Sequence, residues 1–371
     1  MSERLPVLLW HLGRRGGGPR YTLELAQELA KRNDVELHLA LSRQSELFDE
    51  TSALGIPTLA VDTYSGVGGF LAGMPRIPAI AQTMRAYVER HHLTVALCSM
   101  AHLWNMLLVP ALKKGGAANC LVIHDAVPHS GDNYAIRHLM IRRDIRQADA
   151  LIALSSAVGR RLIEDYHCPA NRVWTSSMGP FRYGVPGQRQ VRRLGPPPHR
   201  LLFFGRLRPY KGLANLLEAM RILDRRGIPV TLQVAGDGTI DLPPLPPNVR
   251  LERRWVPEGE IGGLFADIDL VILPYSEASQ SGVIPIAHHF GVPAVVTPSG
   301  GLPEQLGFGT KGFIAADGSP PALADAIQAA LSDPERYART SAAILHCETD
   351  ARWAKAADDL VEVLRSVALV H

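Results

Sequence analysis

Short apolar, β-rich runs alternate with amphipathic helical stretches along this chain, and the alternation stops once and then restarts. A chain written this way has few solutions: strands separated by a helix return to the sheet in parallel, and both sheet faces are then covered by helices. The pattern predicts strands at 5–12, 35–41, 95–99, 120–124 and 150–154. A Gly-rich turn follows the first strand, and a helix over 21–32 follows the turn. After Tyr183 the pattern gives way to YGVPGQRQVRRLGPPPHR, whose Pro, Gly and Arg residues have no period of either kind. It resumes with strands at 200–204, 230–235, 269–273, 294–297 and 312–315, helices at 212–226 and 281–290, and a last amphipathic helix over 351–368. At 371 residues the chain is long enough for about two domains of ~150 residues. The expected architecture is α/β with two doubly wound, Rossmann-like domains. Residues 1–184 form the first, with the helix of 350–371 packing back on it; 185–199 form a linker; 200–349 form the second.

Composition narrows the class further. Apolar residues at 46% and charged residues at 20% describe an ordinary globular chain. No run reaches the ~18 apolar residues of a membrane span, and the start MSERLPVLLWHLGRRGGG reads as a strand and not as a secretory signal. Cys98, Cys120, Cys168 and Cys347 are widely spaced and match neither a disulfide framework nor a zinc site, which points to a reducing cytoplasm. A net charge of +3 gives no footprint for nucleic acid.

Ligands of open α/β sheets bind beyond the carboxyl ends of the strands. Two phosphate-type signals stand at such ends: Gly13-Arg-Arg-Gly16-Gly17-Gly18 after the first strand, and Gly205-Arg206 with Lys211-Gly212 after the strand of 200–204. A dinucleotide fingerprint fails, because Tyr21 stands where the third glycine belongs and the second strand ends Leu39-Ala40-Leu41-Ser42 without an acid. No P-loop motif occurs.

The blocks LLFFGRLRPYKGLANLLEAMRIL, VAGDG, LERRWV and LFADIDLVILPYSEASQSGVIPIAHHFGVPAVVTPSGGLPEQL, in this order, resemble the retaining family 4 glycosyltransferases. GGGPRYTLELAQELA, IHDAVPHSG and DALIALSSAV extend the resemblance into the first half. It implies the GT-B fold, two Rossmann-like domains facing across a cleft, and transfer of a sugar from a UDP- or GDP-sugar to a glycan or lipid-linked saccharide in exopolysaccharide or surface polysaccharide assembly. The nucleotide sugar is a substrate; no cofactor and no metal is expected.

The resemblance assigns roles by position. Arg206 and Lys211 match the cationic pair on the donor diphosphate, where fixed positive charge stabilises the departing nucleoside diphosphate. Gly205 precedes them. Gly16 and Gly17 match glycines that let backbone approach the same diphosphate. His124 opens a His-Asp block, with Asp125 next to it, and matches the residue that touches the donor sugar near its anomeric carbon through its ring or its carbonyl. Trp255 and Val256 stand where backbone passes the nucleobase. Most relatives carry two glutamates separated by seven residues; here their places hold Ala278 and Ile286. Glu277 lies one position from the first, and Ser279, Gln280, Ser281 and Gly282 are the candidates that face the donor instead.

Other features have two readings. Asp267-Ile268-Asp269 has the form of a metal-binding D-x-D, but its place ahead of a strand fits capping. Glu304 stands in a loop after the last cleft strand, and Met178-Gly179 replaces the His-Gly of many relatives. Residues 64–78 read as a long Gly-rich loop that serves the acceptor; the rest of 43–90 has no assignment. The basic stretch 137–146 is either a peripheral membrane contact at the inner membrane face or a solvated helix face. A catalytically impaired sugar-nucleotide binder, a GT-B sugar-nucleotide epimerase and an NAD enzyme stand as alternatives.

Overall fold

The computed structural model describes residues 4–126, 134–176, 178–183, 190–346 and 349–370. The chain divides into two compact units: 1–127, 135–178 and 352–371 form unit 1, and 128–134 with 179–351 form unit 2.

Unit 1 is built on seven strands: β1 Leu5–His11, β2 Val35–Ser42, β3 Thr58–Val61, β4 Val95–Cys98, β5 Ala118–Ile123, β6 Ala150–Ala153 and β7 Val173–Thr175. They lie in the order β3-β2-β1-β4-β5-β6-β7, and every pairing is parallel. The helices are α1 Gly17–Ala30, α2 Phe48–Ser52, α3 Gly66–Gly73, α4 Ile77–Arg90, α5 Asn105–Lys114, α6 Tyr134–Gln147 and α7 Ser156–Glu164. Leu8, Trp10 and Leu121 of the sheet close a core with Met84 and Val88 of α4 and Leu108 and Leu112 of α5. Fully buried strands of this kind need no alternation, which is why they read as continuous apolar runs.

Unit 2 repeats the plan with six parallel strands in the order β10-β9-β8-β11-β12-β13. These are β8 His199–Phe204, β9 Val230–Gly236, β10 Val249–Arg253, β11 Leu270–Leu273, β12 Ala294–Val296 and β13 Gly312–Ile314. Its helices are α8 Leu213–Arg225, α9 Glu258–Ala266, α10 Val283–His289, α11 Leu302–Gln305, α12 Pro320–Ser332 and α13 Pro334–Leu345; α14, Thr349–Ala368, runs on into unit 1.

Three differences from the sequence reading have physical causes. The helix expected from residue 21 begins at Gly17, because Gly18, Pro19 and Arg20 are buried and a proline is tolerated in the first turn of a helix. The expected loop at 64–78 contains α3, a 3-10 turn and the start of α4. In the stretch expected as a linker, residues 185–189 lie outside the described residues, and Arg192 is anchored within unit 2. The Arg192 guanidinium donates to the carbonyls of Phe290, Ala266 and Phe265, and its N–H to the Ser341 hydroxyl.

In unit 1, α14 closes over α1. Trp353 is fully buried with its ring 5.6 Å from that of Tyr21, Arg365 reaches Asp34 at 2.8 Å, and Arg32 meets Asp358. Trp353→Ala is expected to cost about 3–5 kcal/mol, read as an earlier unfolding transition of unit 1 in calorimetry; an unchanged transition would contradict this placement.

Candidate functional site

In unit 2 the loops that leave the carboxyl ends of β8, β9, β11 and β12 pack backbone on backbone. Gly212, in the left-handed region at φ 68°, lies so close to the Pro274 carbonyl that a Cβ would sit 1.8 Å from its oxygen. Gly236 meets the Gly205 carbonyl and Gly300 the Ala278 carbonyl in the same way. No side chain fits at these positions, so contact requires glycine at all three, and a positive φ favours it as well at Gly212 and Gly300. Hydrogen bonds reinforce the joins: Leu207 N–H to the Asp237 carbonyl at 2.8 Å, and Ser276 N–H to the Tyr210 carbonyl at 2.9 Å.

This frame gathers four of the expected site residues and two that the sequence did not single out. Gly205, at φ 126°, delivers Arg206 to the surface, where the guanidinium donates to the Tyr210 hydroxyl at 3.5 Å. The Lys211 ammonium stands 3.6 Å from the centre of the Tyr275 ring and 5.1 Å from that of Tyr210. Such a contact with a desolvated ring contributes roughly 0.5–2 kcal/mol and fixes a side chain that otherwise has many rotamers. Burial pushes the Tyr275 phenol up to about 12, against the opposing effects of the Ser281 hydrogen bond and the Arg206 charge, so the ring stays neutral. Its hydroxyl meets the Ser281 hydroxyl at 3.3 Å.

Ser281 is turned inward. Its N–H donates to the Gln305 side-chain oxygen at 2.7 Å, its carbonyl accepts from the Gln305 amide at 3.1 Å, and its hydroxyl accepts from the Val283 N–H. The backbone amide expected to face a donor is therefore committed to Gln305, and Ser281 acts as a strut between Tyr275 and α11. Ser279 is buried, Gln280 half-buried, and Glu277 and Gly282 are exposed on the same loop. The place of the second glutamate, Ile286, is buried apolar core. Trp255 and Val256 follow the edge strand β10, two strands from β8; Val256 is buried, and the Trp255 carbonyl accepts from Arg254. Asp267 and Asp269 lie at the amino end of β11, at the other end of the sheet, where Asp269 accepts from the Arg200 N–H and Asp267 pairs with the Arg200 guanidinium.

In unit 1 the glycine loop closes over a buried histidine. The His11 ring fills the space where side chains of Gly13 and Gly18 would stand, with Nε2 only 2.5 and 2.7 Å from those Cβ positions. Burial, then the charges of His102 and His124, hold His11 down to about 3, and burial holds His102 down to about 4, so both are neutral at physiological pH. His124, at the end of β5, donates from Nε2 to the Ser99 carbonyl at 2.8 Å and sets its ring edge-on to Tyr21 at 5.1 Å. Its ring is tied inward by these contacts. Gly16 has φ 84°, and its N–H donates to Glu46 Oε1 at 2.9 Å. Gly17, exposed at the first position of α1, has nothing within 4 Å of a Cβ and no positive φ.

Both units match known families: residues 15–179 match the family described as Glycosyltransferase Family 4, and residues 198–333 match Glycosyl transferases group 1. This chain is a glycosyltransferase of the family 4 type. A D-inositol 3-phosphate glycosyltransferase of Corynebacterium glutamicum is 26% identical, over 94% of this chain and 91% of its own. The amylovoran biosynthesis glycosyltransferase AmsK of Erwinia amylovora is 28% identical over 48% of this chain and 46% of its own. Among solved structures, Anabaena HepE in complex with UDP-glucose superposes with a TM-score of 0.71 at 18% identity, covering 97% of this chain and 99% of that one. That likeness confirms the GT-B fold.

Within this glycosyltransferase the glycines have separate duties. Gly18 is demanded by the His11 ring and the Met100 sulfur beneath it, whereas nothing in the folded chain demands glycine at 17. Gly18→Ala is expected to cost about 1–3 kcal/mol through overpacking, and Gly17→Ala to stay within about 0.5 kcal/mol, both by thermal unfolding. Equal losses would contradict the assignment.

Proposed function

We propose that this glycosyltransferase takes its sugar from a nucleoside-diphosphate sugar, retains the anomeric configuration, and elongates a saccharide acceptor in the assembly of an extracellular or surface polysaccharide. The single observation that carries the reading is the cationic pair of unit 2: Arg206 at the surface and Lys211 fixed against Tyr275, at the carboxyl end of a parallel sheet. Among the described residues no carboxylate pairs with Arg206, so its charge is not internally compensated. A pair of this kind favours the diphosphate more as it departs and gains charge than while it is still esterified, and that difference accelerates transfer. HepE, with the same fold, has been crystallised with UDP-glucose, and AmsK is named for amylovoran biosynthesis; both support this substrate class.

In the reaction so read, the bond from the anomeric carbon to the diphosphate oxygen breaks. The acceptor hydroxyl forms its bond on the same face, and its proton passes to the leaving diphosphate. The chain's own residues bind and orient; the only glutamate on the loop before α10, Glu277, has an exposed side chain, and the two usual glutamate positions hold Ala278 and a buried Ile286. No metal is required where two cations and backbone amides balance the diphosphate. A lipid-linked acceptor and a peripheral membrane contact fit α6, whose Leu139, Arg142, Arg143 and Arg146 are all exposed; no helix among the described residues is long and apolar enough to cross a membrane.

Turnover across UDP-, GDP- and ADP-sugars, with calorimetric binding of the matching nucleoside diphosphate, tests the reading. Arg206→Ala and Lys211→Ala are each expected to lower turnover 10²–10³-fold, the range for loss of one preorganised group on developing charge. Binding without turnover would make the chain an inert sugar-nucleotide binder, and unchanged turnover in both variants would remove the pair from the reaction.

A further inference from the structure

The two faces of the unit 1 sheet differ in charge. Crossovers between parallel strands are right-handed, so the strand order β3-β2-β1-β4-β5-β6-β7 puts α1 and α2 on one face and α4, α5 and α6 on the other. Helix α14 joins the first face through Trp353 on Tyr21. Among the described side chains, α1, α2 and α14 carry four Arg and Lys against seven acids. On the other face α4, α5 and α6 carry seven Arg and Lys against two acids, Glu89 and the buried Asp144. Arg85 takes Glu89 in an exposed pair of little weight, and Lys113 pairs with Asp149. Arg90, Lys114, Arg142, Arg143 and Arg146 meet no acid among the described residues.

The same face has an apolar zone at one end. Each of these helices leads to the start of the next strand, so it begins at the carboxyl end of the sheet and finishes at the amino end. Met74 stands just before α4, Leu103 just before α5, and Leu107 and Leu139 lie in the first two turns of α5 and α6. All four are exposed, Leu139 at 65% and Leu107 at 46%. The cations follow in the second halves of the same helices. A groove of about 380 Å³ between α4 and α5 repeats the division, with Ala81, Leu107 and Pro110 toward the helix starts and Arg85 and Lys114 toward the ends. Lys114 adjoins Gly115, whose Cβ position is 3.2 Å from the Arg85 carbonyl, so the two cations share one end of the groove.

An apolar row backed by a belt of unpaired cations complements an anionic bilayer. The leucines gain by leaving water, and each cation near the charged surface strengthens binding about fivefold. Leu107 and Lys114 are about 10 Å apart along α5, comparable to the ~5–10 Å that an interfacial apolar face reaches below the headgroups. A nucleic acid would use the cations and leave the leucines in water.

We propose that unit 1 docks on an anionic bilayer through the face of α4, α5 and α6, with Met74, Leu103, Leu107 and Leu139 inserted and Arg85, Lys114 and the α6 arginines among the lipid phosphates. This rests on the membrane contact read above from α6. It extends that contact to two further helices and gives it an orientation, with the carboxyl edge of the unit 1 sheet toward the bilayer that would hold a lipid-linked acceptor.

Co-sedimentation with vesicles of phosphatidylcholine, alone and mixed with phosphatidylglycerol, tests the proposal. The unaltered protein is expected on the mixed vesicles, released by salt, and far more weakly on the neutral ones. Arg85→Gln/Lys114→Gln is expected to weaken binding about 30-fold, and Leu103→Ser/Leu107→Ser at least about tenfold. The melting temperature is expected to stay nearly unchanged in each, because all four side chains are exposed. Lys355→Gln, on the opposite face, is expected to bind like the unaltered protein. Equal weakening in Lys355→Gln would make net charge the cause, and loss confined to Arg142→Gln/Arg143→Gln would return the contact to α6 alone; either result overturns the proposal. An unaltered protein that stays off the mixed vesicles would sink the membrane reading itself. Binding with the expected pattern but no turnover of any sugar nucleotide would support the docking face and sink the donor reading.

Discussion

The contact between Gly212 and the Pro274 carbonyl is the constraint on which the site of unit 2 depends. A parallel sheet ends in loops that have no strand partner and must find other ways to be rigid. Here they do so by touching backbone to backbone, at Gly212 on Pro274, Gly236 on Gly205 and Gly300 on Ala278. The first of these brings the β8 and β11 loops close enough for Lys211 to lie on Tyr275 and for Tyr210 to receive both Arg206 and the Ser276 N–H. A cation held in this manner pays its ordering cost during folding and not at the moment of reaction, which is the physical content of preorganisation.

The same economy governs the block between β11 and α10. Where the family resemblance implies two acids in that block, this chain places a buried isoleucine at one position and a carbonyl packed on glycine at the other. Ser281 and Gln305 then form a hydrogen-bonded strut in which backbone and side-chain polar groups satisfy one another inside the unit. The Ser281 hydroxyl braces Tyr275, on whose ring Lys211 lies.

How much of this is legible in the sequence follows from range. Strands buried on both faces announce themselves as apolar runs, and β1, β2, β4, β5, β6, β8, β9, β11, β12 and β13 lie where the pattern places them, with ends shifted by a residue or two. The edge strands β3, β7 and β10 are short or partly exposed and carry a weak signal. The cationic pair is visible because Arg206, Lys211 and Gly212 stand close together in one loop. Tyr275, Gln305 and Glu46 are not, because each acts across a sequence gap that no local pattern spans: Glu46 reaches back 30 residues to Gly16, and Gln305 reaches back 24 to Ser281. Glycine is the most ambiguous letter of all. Gly17 and Gly18 are adjacent and identical in sequence, yet one is fixed by the His11 ring and the other is left open.

The central claim is that Arg206 and Lys211 together hold a diphosphate. A crystal structure of the protein with UDP or GDP bound tests it most directly. The expected result places phosphate oxygens within about 2.7–3.2 Å of the Arg206 guanidinium and the Lys211 ammonium, with Lys211 still seated on the Tyr275 ring. A nucleotide bound elsewhere, with both cations pointing into solvent, would contradict the account.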